Sequence, residues 1–253
     1  VLIPTAKRTT ACISSQVGCS LDCDFCATSK LKRIRNLKPD EIFDQASTIN
    51  LQSKLYYNRP ISNIVFMGMG EPLLNYKNLI LGIEKITGKD GLGISPKRIT
   101  VSTSGISKLI IKMADENVKF NLAISLHSAL EKTRNKIMPF SKKFPLDELK
   151  EAVKYWYKKT RKKVTYEYIV WKEINDDMKH IKALVKFCKA SPSKVNLIEY
   201  NNTENSFFTA AKDKIIQEYI SELEKNKIPV TIRKSRGKDI DAACGQLANR
   251  ETN

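Results

Sequence analysis

Three cysteines stand close together near the start of the chain, and their number limits the chemistry that they can support. Cys19, Cys23 and Cys26 lie in the run GCSLDCDFCAT with the spacing CxxxCxxC, and no fourth thiol or imidazole follows nearby. A structural zinc site takes four protein ligands, whereas a catalytic iron–sulfur cluster leaves one iron open to a substrate or cofactor. The pattern therefore predicts a catalytic iron–sulfur cluster. A zinc knuckle with a distant fourth ligand is the alternative.

The spacing of these cysteines resembles the signature of the radical S-adenosylmethionine (SAM) superfamily. The resemblance implies that the three thiolates hold a [4Fe-4S] cluster and that the amine and carboxylate of SAM close its fourth iron. Phe25, directly before Cys26, would then shield the cluster from water, but ordinary core packing explains an aromatic residue there equally well.

A glycine-rich segment, GMGEP over residues 68 to 72, offers a second set of groups for a ligand. Gly68 and Gly70 allow the backbone to approach a ligand closely, and Glu71 supplies a carboxylate that can accept hydrogen bonds from an α-amino group. The segment resembles the GGE-like turn that receives the methionine amine in radical SAM proteins. A purely structural turn is the alternative interpretation.

The elements that would position these residues follow from the hydrophobic pattern. Short apolar runs alternate with longer amphipathic stretches, which predicts parallel βαβ units in an α/β fold. We expect a partial (β/α)6 barrel of the radical SAM type, with mainly parallel strands, as one domain over residues 1 to 253. The predicted strands are 11–17, 62–67, 98–103, 120–126, 164–170, 194–199 and 229–233. The predicted helices are 39–56, 76–88, 106–117, 146–160, 177–190 and 212–227.

Polar motifs follow five of these strands, where barrel enzymes place their active sites. The cysteine motif follows the first strand and GMGEP follows the second. Ser102, Ser125, His127 and Asn201 mark the third, fourth and sixth strand ends, and they carry hydrogen-bonding groups suited to the ribose, carboxylate and adenine of SAM. We prefer a ligand-facing role for His127 to a structural one.

The residues around the remaining cysteines and the second histidine indicate less about their roles. Cys12 lies on the first predicted strand, with Ser14 and Gln16 on the same face, and Cys244 lies in a C-terminal tail from about residue 234 to 253. Cys188 fits the apolar pattern of a helix and is interpreted as a buried thiol. His180, on the same lysine-flanked helix, is interpreted as a surface residue.

A formal net charge of +17 indicates a polyanionic partner, and nucleic acid is the natural candidate. A lysine-rich composition without functional meaning is the alternative. The basic residues cluster at Lys30, Lys32, Arg33 and Arg35, at Lys158, Lys159, Arg161, Lys162 and Lys163, and at Arg233, Lys234, Arg236 and Lys238. We interpret the middle cluster as a solvated helix end.

Composition also bears on the compartment. No apolar run approaches the roughly 18 residues of a membrane span, no signal peptide is recognisable, and six cysteines with three clustered fit a reducing compartment. We therefore expect a cytoplasmic protein without a membrane partner. Because the chain begins at Val1 inside an apparent strand, a preceding N-terminal segment is expected to be missing.

Together the motifs closely resemble those of the radical SAM adenine-C2 methyltransferases, dual-specificity enzymes that act on 23S rRNA and tRNA. The similarity covers nearly the whole chain, in CISSQVGCSLDCDFCAT, FMGMGEPLLN, VSTSG, AISLH, VNLIEYN and RGKDIDAACGQLA. It implies that SAM is contacted by Gly70, Glu71, Ser102, Ser125, Leu126, His127 and Asn201. It also implies a catalytic pair in which Cys244 is methylated and Cys12 resolves it through a disulfide bond. We expect the family's N-terminal accessory RNA-binding domain to be missing from this sequence.

The resemblance further implies a flavodoxin or ferredoxin as electron donor, and we expect a monomer. Two alternatives remain open at this point. One is a radical SAM enzyme of the antibiotic-resistance type that methylates adenine C8, although the GEP at residues 70 to 72 favours C2. The other is a non-enzymatic, metal-stabilised RNA-binding protein, which the charge alone would allow.

Overall fold

The computed structural model describes residues 1–202, 207–237 and 240–247. The strands in this part of the chain are β1 (Leu2–Pro4), β2 (Thr9–Ile13), β3 (Gln16–Val17), β4 (Arg35–Asn36), β5 (Asn63–Phe66), β6 (Ile99–Thr103), β7 (Asn121–Ser125), β8 (Val164–Ile169), β9 (Ser193–Ile198) and β10 (Val230–Arg233). The helices there are α1 (Ala27–Lys30), α2 (Pro39–Tyr57), α3 (Tyr76–Thr87), α4 (Ser107–Asp115), α5 (Glu131–Ile137), α6 (Leu146–Thr160), α7 (Met178–Cys188) and α8 (Asp213–Lys225).

The main sheet of the described residues has the order β1-β2-β5-β6-β7-β8-β9-β10. All neighbouring strands from β2 to β10 run parallel, and β1 adds an antiparallel edge to β2. Since consecutive parallel strands are joined through helices, their carboxyl ends meet at one rim of the curled sheet. The expected partial barrel with mainly parallel strands is confirmed. The antiparallel β1 and the small β3–β4 pair were not predicted.

The six predicted helices are confirmed within about two residues at each end. Helix α2 shows why the ends of a helix could be predicted from the sequence. Pro39 occupies the first turn, and the Glu41 carboxylate accepts a hydrogen bond from the Lys38 main-chain N–H at 2.8 Å, which satisfies one of the free N–H groups of the helix start. Asn58 ends the helix with φ +49°, a left-handed conformation that asparagine tolerates.

The first predicted strand, 11–17, is too long. Strand β2 ends at Ile13, because the next main-chain groups bond elsewhere: the Gln45 side-chain oxygen accepts from Ser14 N at 2.8 Å, and Ser15 N donates to Met69 O at 3.0 Å. Gln16 then pairs with Asn36 in the separate β3–β4 hairpin. The expectation that Cys12, Ser14 and Gln16 share one strand face is therefore wrong for Gln16.

Helix α7 contains one confirmed and one wrong expectation. Cys188 is a buried thiol in the main core, as expected. His180 is not a surface residue: it is 6% exposed, its Nδ1 lies 2.8 Å from Asp177 Oδ1, and its Nε2 lies 3.1 Å from Thr133 Oγ1. His180 lies on the same face of the helix as Leu184 and Cys188, because these residues are four positions apart. That face packs into the core, so His180 is buried together with the apolar residues.

The basic clusters lie in different settings. Lys158, Lys159 and Arg161 are exposed at the end of α6, as expected of a solvated helix end. Lys162 differs, because its Nζ donates to the carbonyl groups of Val118 and Phe120 at 3.0 and 3.1 Å. Lys238 and the tail after residue 247 lie outside the described residues. Where the chain is described, none of its helices has both the length and the apolar content needed to cross a bilayer.

Candidate active site

A cavity of about 170 Å³ lies at the carboxyl ends of the parallel strands, and we call it the upper cavity. Its lining includes ten of the twelve residues that the sequence singled out: Cys19, Cys23, Cys26, Gly70, Glu71, Ser102, Ser125, His127, Asn201 and Cys244. These residues come from the carboxyl ends of five strands or the loops that follow them, and from the tail. The prediction that the motifs meet at one rim of a barrel is therefore confirmed in its geometry.

The cysteine loop presents its three thiols inside an apolar shell. Cys19 and Cys23 are buried and pack with the side chains of Leu21 and Trp171. Burial raises the pKa of Cys19 to about 11, and burial together with the neighbouring Cys26 and Cys19 raises the pKa of Cys23. Three thiolates at such a place need a cationic partner. An iron–sulfur cluster provides one, and its thiolate ligands lie on separate iron atoms.

The arrangement of these thiols also bears on the zinc alternative. Among the described residues, no three His, Cys, Asp or Glu side chains are grouped as ligands of a single metal ion. Ligands of a four-iron cluster do not share one metal atom, so their sulfur atoms need not converge on one point. The three cysteines of the loop therefore fit a cluster by their number and by their common cavity.

The glycines of the GMGEP loop line the upper cavity, and they also allow the loop to pack closely on neighbouring protein atoms. A Cβ on Gly68 would lie 2.8 Å from Ile13 O, and a Cβ on Gly70 would lie 2.5 Å from Gln16 Cβ. Gly70 also has φ +92°, which side-chain-bearing residues rarely adopt. The Gln16 side-chain oxygen then accepts from Glu71 N at 2.9 Å. The glycines thus let the loop close onto the segment after β2 and set the position of Glu71.

Glu71 is a buried carboxylate that joins two strand ends. Its Oε1 accepts from Leu73 N at 3.0 Å, and its Oε2 accepts from Ser104 N at 2.7 Å. Burial raises its pKa, while these hydrogen bonds oppose the shift. Because each carboxylate oxygen has a second lone pair, Glu71 can still accept a hydrogen bond from an amino group in the cavity.

Asn201 carries a buried polar atom that awaits a partner. Its Nδ2 donates to the carbonyl of Cys244 at 3.0 Å, while its buried Oδ1 has no hydrogen-bond partner among the described residues. An unpaired buried acceptor costs about 1–3 kcal/mol, so a donor on a ligand in the upper cavity would relieve that cost. Together with the hydroxyl groups of Ser102 and Ser125 at the same cavity, this acceptor fits a ligand with several polar groups, as SAM is.

His127 faces the cavity but is also held by the fold. Its φ is +53°, its Nδ1 accepts from Ile169 N at 3.2 Å, and its ring packs against Phe25 at 4.8 Å between centroids. Burial, with a smaller contribution from the Arg134 charge, lowers its pKa to about 3. The imidazole is therefore neutral, and its remaining N–H is a donor. Leu126, by contrast, is fully buried in the main core and does not line the cavity.

The C-terminal tail packs directly on the cysteine loop. Ala27 N donates to Gly245 O at 2.7 Å, and the Thr28 hydroxyl donates to Leu247 O. These bonds, with the one from Asn201, hold Cys244 at the edge of the upper cavity. There the Nη2 of Arg233 lies 3.4 Å from Cys244 Sγ.

Cys12 lies on the inner face of β2, below the upper cavity. It is buried, and both burial and the nearby Cys244 raise its pKa to about 11. All six cysteines are described and free, so the Cys12–Cys244 disulfide named in the sequence analysis is not present in the structure. Both residues instead line a second cavity, described below.

Several residues of the site escaped the sequence analysis. Glu167 on β8 and Arg233 at the end of β10 form an ion pair at 3.6 Å beside Cys244. The only local signal of Glu167 is an acidic residue in the otherwise buried strand VTYEYI. Trp171 packs on Phe25 at 5.0 Å between ring centroids and supports that ring from outside the cavity lining. Nothing in its local pattern indicates this role, because the two rings come from distant segments.

Arg134 is a fully buried cation that ties together the ends of β6 and β7. Its guanidinium donates to the carbonyl groups of Ser104, Leu126 and Ser125 at 2.5, 3.3 and 3.4 Å. Burial lowers its pKa to about 10, which leaves it charged at neutral pH. Since Ser125 and Ser104 line the upper cavity, Arg134 sets the position of that wall.

We expect the substitution Arg134→Met to lower the free energy of unfolding of the metal-free protein by about 2–4 kcal/mol, because it leaves buried carbonyl groups unpaired. Denaturant midpoints at constant m-value would measure the change. Arg134→Lys, which keeps a charged donor, is expected to lose less. An unchanged or higher midpoint for Arg134→Met would contradict this account.

Comparisons with known proteins agree with this geometry. Residues 13–185 match the family model of the radical SAM superfamily. A protein of Flavobacterium psychrophilum named probable dual-specificity RNA methyltransferase RlmN is 66% identical over 251 residues, which cover 99% of this chain and 72% of the relative. A protein of Flavobacterium johnsoniae with the same name is 64% identical with the same coverage. The crystal structure of a radical SAM methyltransferase from Sphaerobacter thermophilus superposes with a TM-score of 0.94 at 35% identity, over 97% of this chain and 72% of that chain.

Proposed function

Because this chain belongs to the RlmN family of dual-specificity RNA methyltransferases, within the radical SAM superfamily, we propose that it methylates C2 of adenosine through a methylated Cys244. The substrates would be 23S rRNA and tRNA. One observation carries the proposal: Cys244, from the end of the chain, lies at the cavity that the three loop cysteines and the polar strand-end residues line. A thiol at that place can receive a methyl group from SAM and then present it to a base.

The chemistry explains why a thiol is needed. Carbon 2 of adenine is not a nucleophile, so it cannot take a methyl group from SAM by direct displacement. When bound, the [4Fe-4S] cluster and SAM supply a 5'-deoxyadenosyl radical that activates a methyl group. Cys244 would carry that methyl group to the base as a thioether, which is covalent catalysis. The Cys12 thiol would then form a disulfide with Cys244: the sulfur–carbon bond breaks, the methylated base is freed, and one proton and the one electron used to cleave SAM are released.

The remaining roles follow from positions in the upper cavity. We assign Cys19, Cys23 and Cys26 to the cluster, and the carboxylate of Glu71 to the SAM amino group. Ser102, Ser125, His127 and Asn201 would bind the other polar groups of SAM, and Gly70 positions the Glu71 loop. Leu126 could contribute only main-chain atoms, since its side chain lies in the core.

The Cys244 thiol is held next to a cation, which suits its proposed role. Arg233 Nη2 lies 3.4 Å from the sulfur, and its guanidinium is itself paired with Glu167. The guanidinium therefore lies beside the sulfur atom that would receive the methyl group. The ion pair with Glu167 keeps the guanidinium in place.

RNA would reach the site past exposed basic residues. Lys30, Lys32 and Arg33 are exposed directly after the cysteine loop, and Ile34 beside them is 75% exposed. Phosphate contacts by such residues supply sequence-independent affinity that falls with salt.

We further propose that the protein is cytoplasmic and monomeric. Residues 1–253 would form one radical SAM core with a catalytic tail from about residue 234, and a flavodoxin or ferredoxin would supply electrons.

The test is anaerobic reconstitution with iron and sulfide, reduction in the presence of SAM and RNA, and mass analysis of the nucleosides against standards. We expect 2-methyladenosine and a methylated peptide containing Cys244. An 8-methyladenosine product would support the alternative of C8 methylation. Bound zinc with no 5'-deoxyadenosine would support a non-enzymatic RNA-binding protein.

A further inference from the structure

A second cavity, of about 610 Å³, lies inside the curled sheet below the upper cavity, and we call it the lower cavity. Its lining residues precede those of the upper cavity along the same strands: Thr10 and Cys12 on β2, Thr100 on β6 and Thr165 on β8. Barrel interiors are normally filled by branched apolar side chains. Here small polar side chains face inward beside apolar ones such as Val65 and Ile198, and they leave a space large enough for a small molecule.

The two cavities meet at Cys244. Cys244, Arg233, Glu167 and Met67 line both of them, whereas Cys12 lines the lower cavity and not the upper one. Arg233 holds this partition together, because its Nη1 lies 3.0 Å from Met67 Sδ and its Nη2 lies 3.4 Å from Cys244 Sγ. The cluster and SAM would occupy the upper side. A reagent directed at Cys12 therefore has its open approach through the lower cavity.

The lower cavity is strongly basic. Its described lining contains five cations, Arg8, Lys194, Arg233, Lys234 and Arg236, against the single carboxylate of Glu167. That carboxylate is already engaged, since its Oε1 accepts from Asn196 Nδ2 at 2.9 Å and its Oε2 faces Arg233.

The cations lie where the cavity opens. Arg8, Lys194, Lys234 and Arg236 are exposed, and the Nη1 of Arg236 donates to Pro4 O at 3.1 Å between the two ends of the sheet. An opening with this charge concentrates small anions and repels small cations.

We propose that the lower cavity admits a small anionic thiol that reduces the Cys12–Cys244 disulfide, so that the enzyme can begin another turnover. The inference rests on the function proposed above, which produces that disulfide. The ligand class is a low-molecular-weight thiol that carries a carboxylate or sulfonate group.

The reduction takes two thiol–disulfide exchanges. In the first, the incoming thiolate attacks Cys12 Sγ, forms a mixed disulfide with it, and breaks the bond to Cys244, whose sulfur leaves with the electron pair. In the second, another thiol attacks the mixed disulfide, releases the Cys12 thiolate and leaves as a small-molecule disulfide. Two small thiols lose two electrons in total, and the protein disulfide gains them.

The position of Arg233 indicates which protein sulfur atom is attacked and which one leaves in the first exchange. Exchange is faster when the departing sulfur is better stabilised as a thiolate. The guanidinium stands 3.4 Å from Cys244 Sγ, so attack at Cys12 releases the thiolate that has the adjacent cation. This order of events also returns Cys244 to the upper cavity, where SAM can methylate it again.

The experiment begins with the cluster-loaded protein, in which the Cys12–Cys244 disulfide is formed with diamide and verified by peptide mass spectrometry. Three thiols of similar size are then compared at equal thiolate concentration: anionic 2-mercaptoethanesulfonate, neutral 2-mercaptoethanol and cationic cysteamine. Each rate is divided by the rate of the same thiol on bis(2-hydroxyethyl) disulfide. We expect the normalised rate to be roughly tenfold higher for the anionic than for the cationic thiol at low salt. The ratio should approach one at about 1 M salt.

Variants at the opening of the lower cavity test whether the preference for the anionic thiol arises there or from the net positive charge of the whole protein. The double substitution Lys194→Glu with Lys234→Glu should remove or reverse the preference for the anion. Lys182→Glu, at an exposed position of α7 that lines neither cavity, should leave it unchanged. Thr231→Trp, at the exposed edge strand, should slow all three thiols severalfold by filling the opening, whereas Thr231→Val should not.

The outcomes distinguish this inference from the proposed function. If no disulfide joins Cys12 and Cys244, both fail. If the disulfide forms but the three thiols react alike, or if Lys182→Glu acts like the double variant, only the lower-cavity inference is overturned. A charge preference that the double variant alone abolishes supports it.

Discussion

Replacing Cys244 with alanine is expected to abolish RNA methylation while reductive cleavage of SAM continues. The substitution removes the one thiol of the tail, which the hydrogen bonds from Asn201 and Ala27 hold at the upper cavity, and leaves the three loop cysteines untouched. No other thiol in the described chain lines both cavities. We expect methylated nucleoside to fall by roughly three orders of magnitude or more, the scale seen when a covalent nucleophile is removed.

The measurement pairs nucleoside mass analysis with quantification of 5'-deoxyadenosine in the same reaction. Cys188→Ala is the matched control, because it also removes a single thiol, but one that lies in the main core and lines neither cavity. That control should keep methylation. Undiminished methylation by the Cys244→Ala variant would remove the basis of the proposed covalent route.

Replacing Cys23 with alanine is expected to prevent assembly of a stable [4Fe-4S] cluster. Cys23 is the middle thiol of the loop and is buried in the same apolar cluster as Leu21 and Trp171. Two remaining thiolates leave two iron atoms without protein ligands, so iron content and visible absorbance after reconstitution should fall severalfold, and 5'-deoxyadenosine formation should be lost with them.

Cys12→Ala provides the comparison for this second experiment. It also removes a buried thiol, but one that does not line the upper cavity. We expect it to keep its iron and its SAM cleavage and to lose multiple turnover. Full iron content in the Cys23→Ala variant would show that the loop does not hold the cluster as we assign it.

The cysteine loop and the helices were predictable because their signals are local. Three thiols within eight residues must share a small volume in any compact fold. Proline and acidic residues at the start of α2 identify a helix start without any knowledge of its surroundings. Regular alternation of strands and helices then implies a parallel sheet, and a parallel sheet brings the residues that follow its strands to one rim.

Some interpretations failed where a distant segment decides the outcome. His180 was assigned to the surface from its lysine neighbours, but a hydroxyl on α5 meets its ring and the core accommodates it. The first strand stops at Ile13 because the Gln45 side chain of α2 and the GMGEP loop take the next main-chain bonds. The glycines of that loop line the upper cavity, but the atoms that leave no room for a side chain there include those of Gln16 and Ile13. These partners are distant along the chain, so a local sequence pattern could not indicate them.

The sequence by itself determined the spacing of the three clustered cysteines and the barrel architecture, because each depends on residue types and short spacings, and from that spacing it predicted the ligands of the cluster. Only the tertiary structure decided that Cys12 and Cys244, from opposite ends of the chain, lie beside one inner cavity. It also placed Arg233 and Glu167 between the two cavities. The physical reason is that these residues become neighbours through the curvature of the sheet and the return of the tail across it. Neither the curvature nor the path of the tail produces a periodic pattern in the sequence.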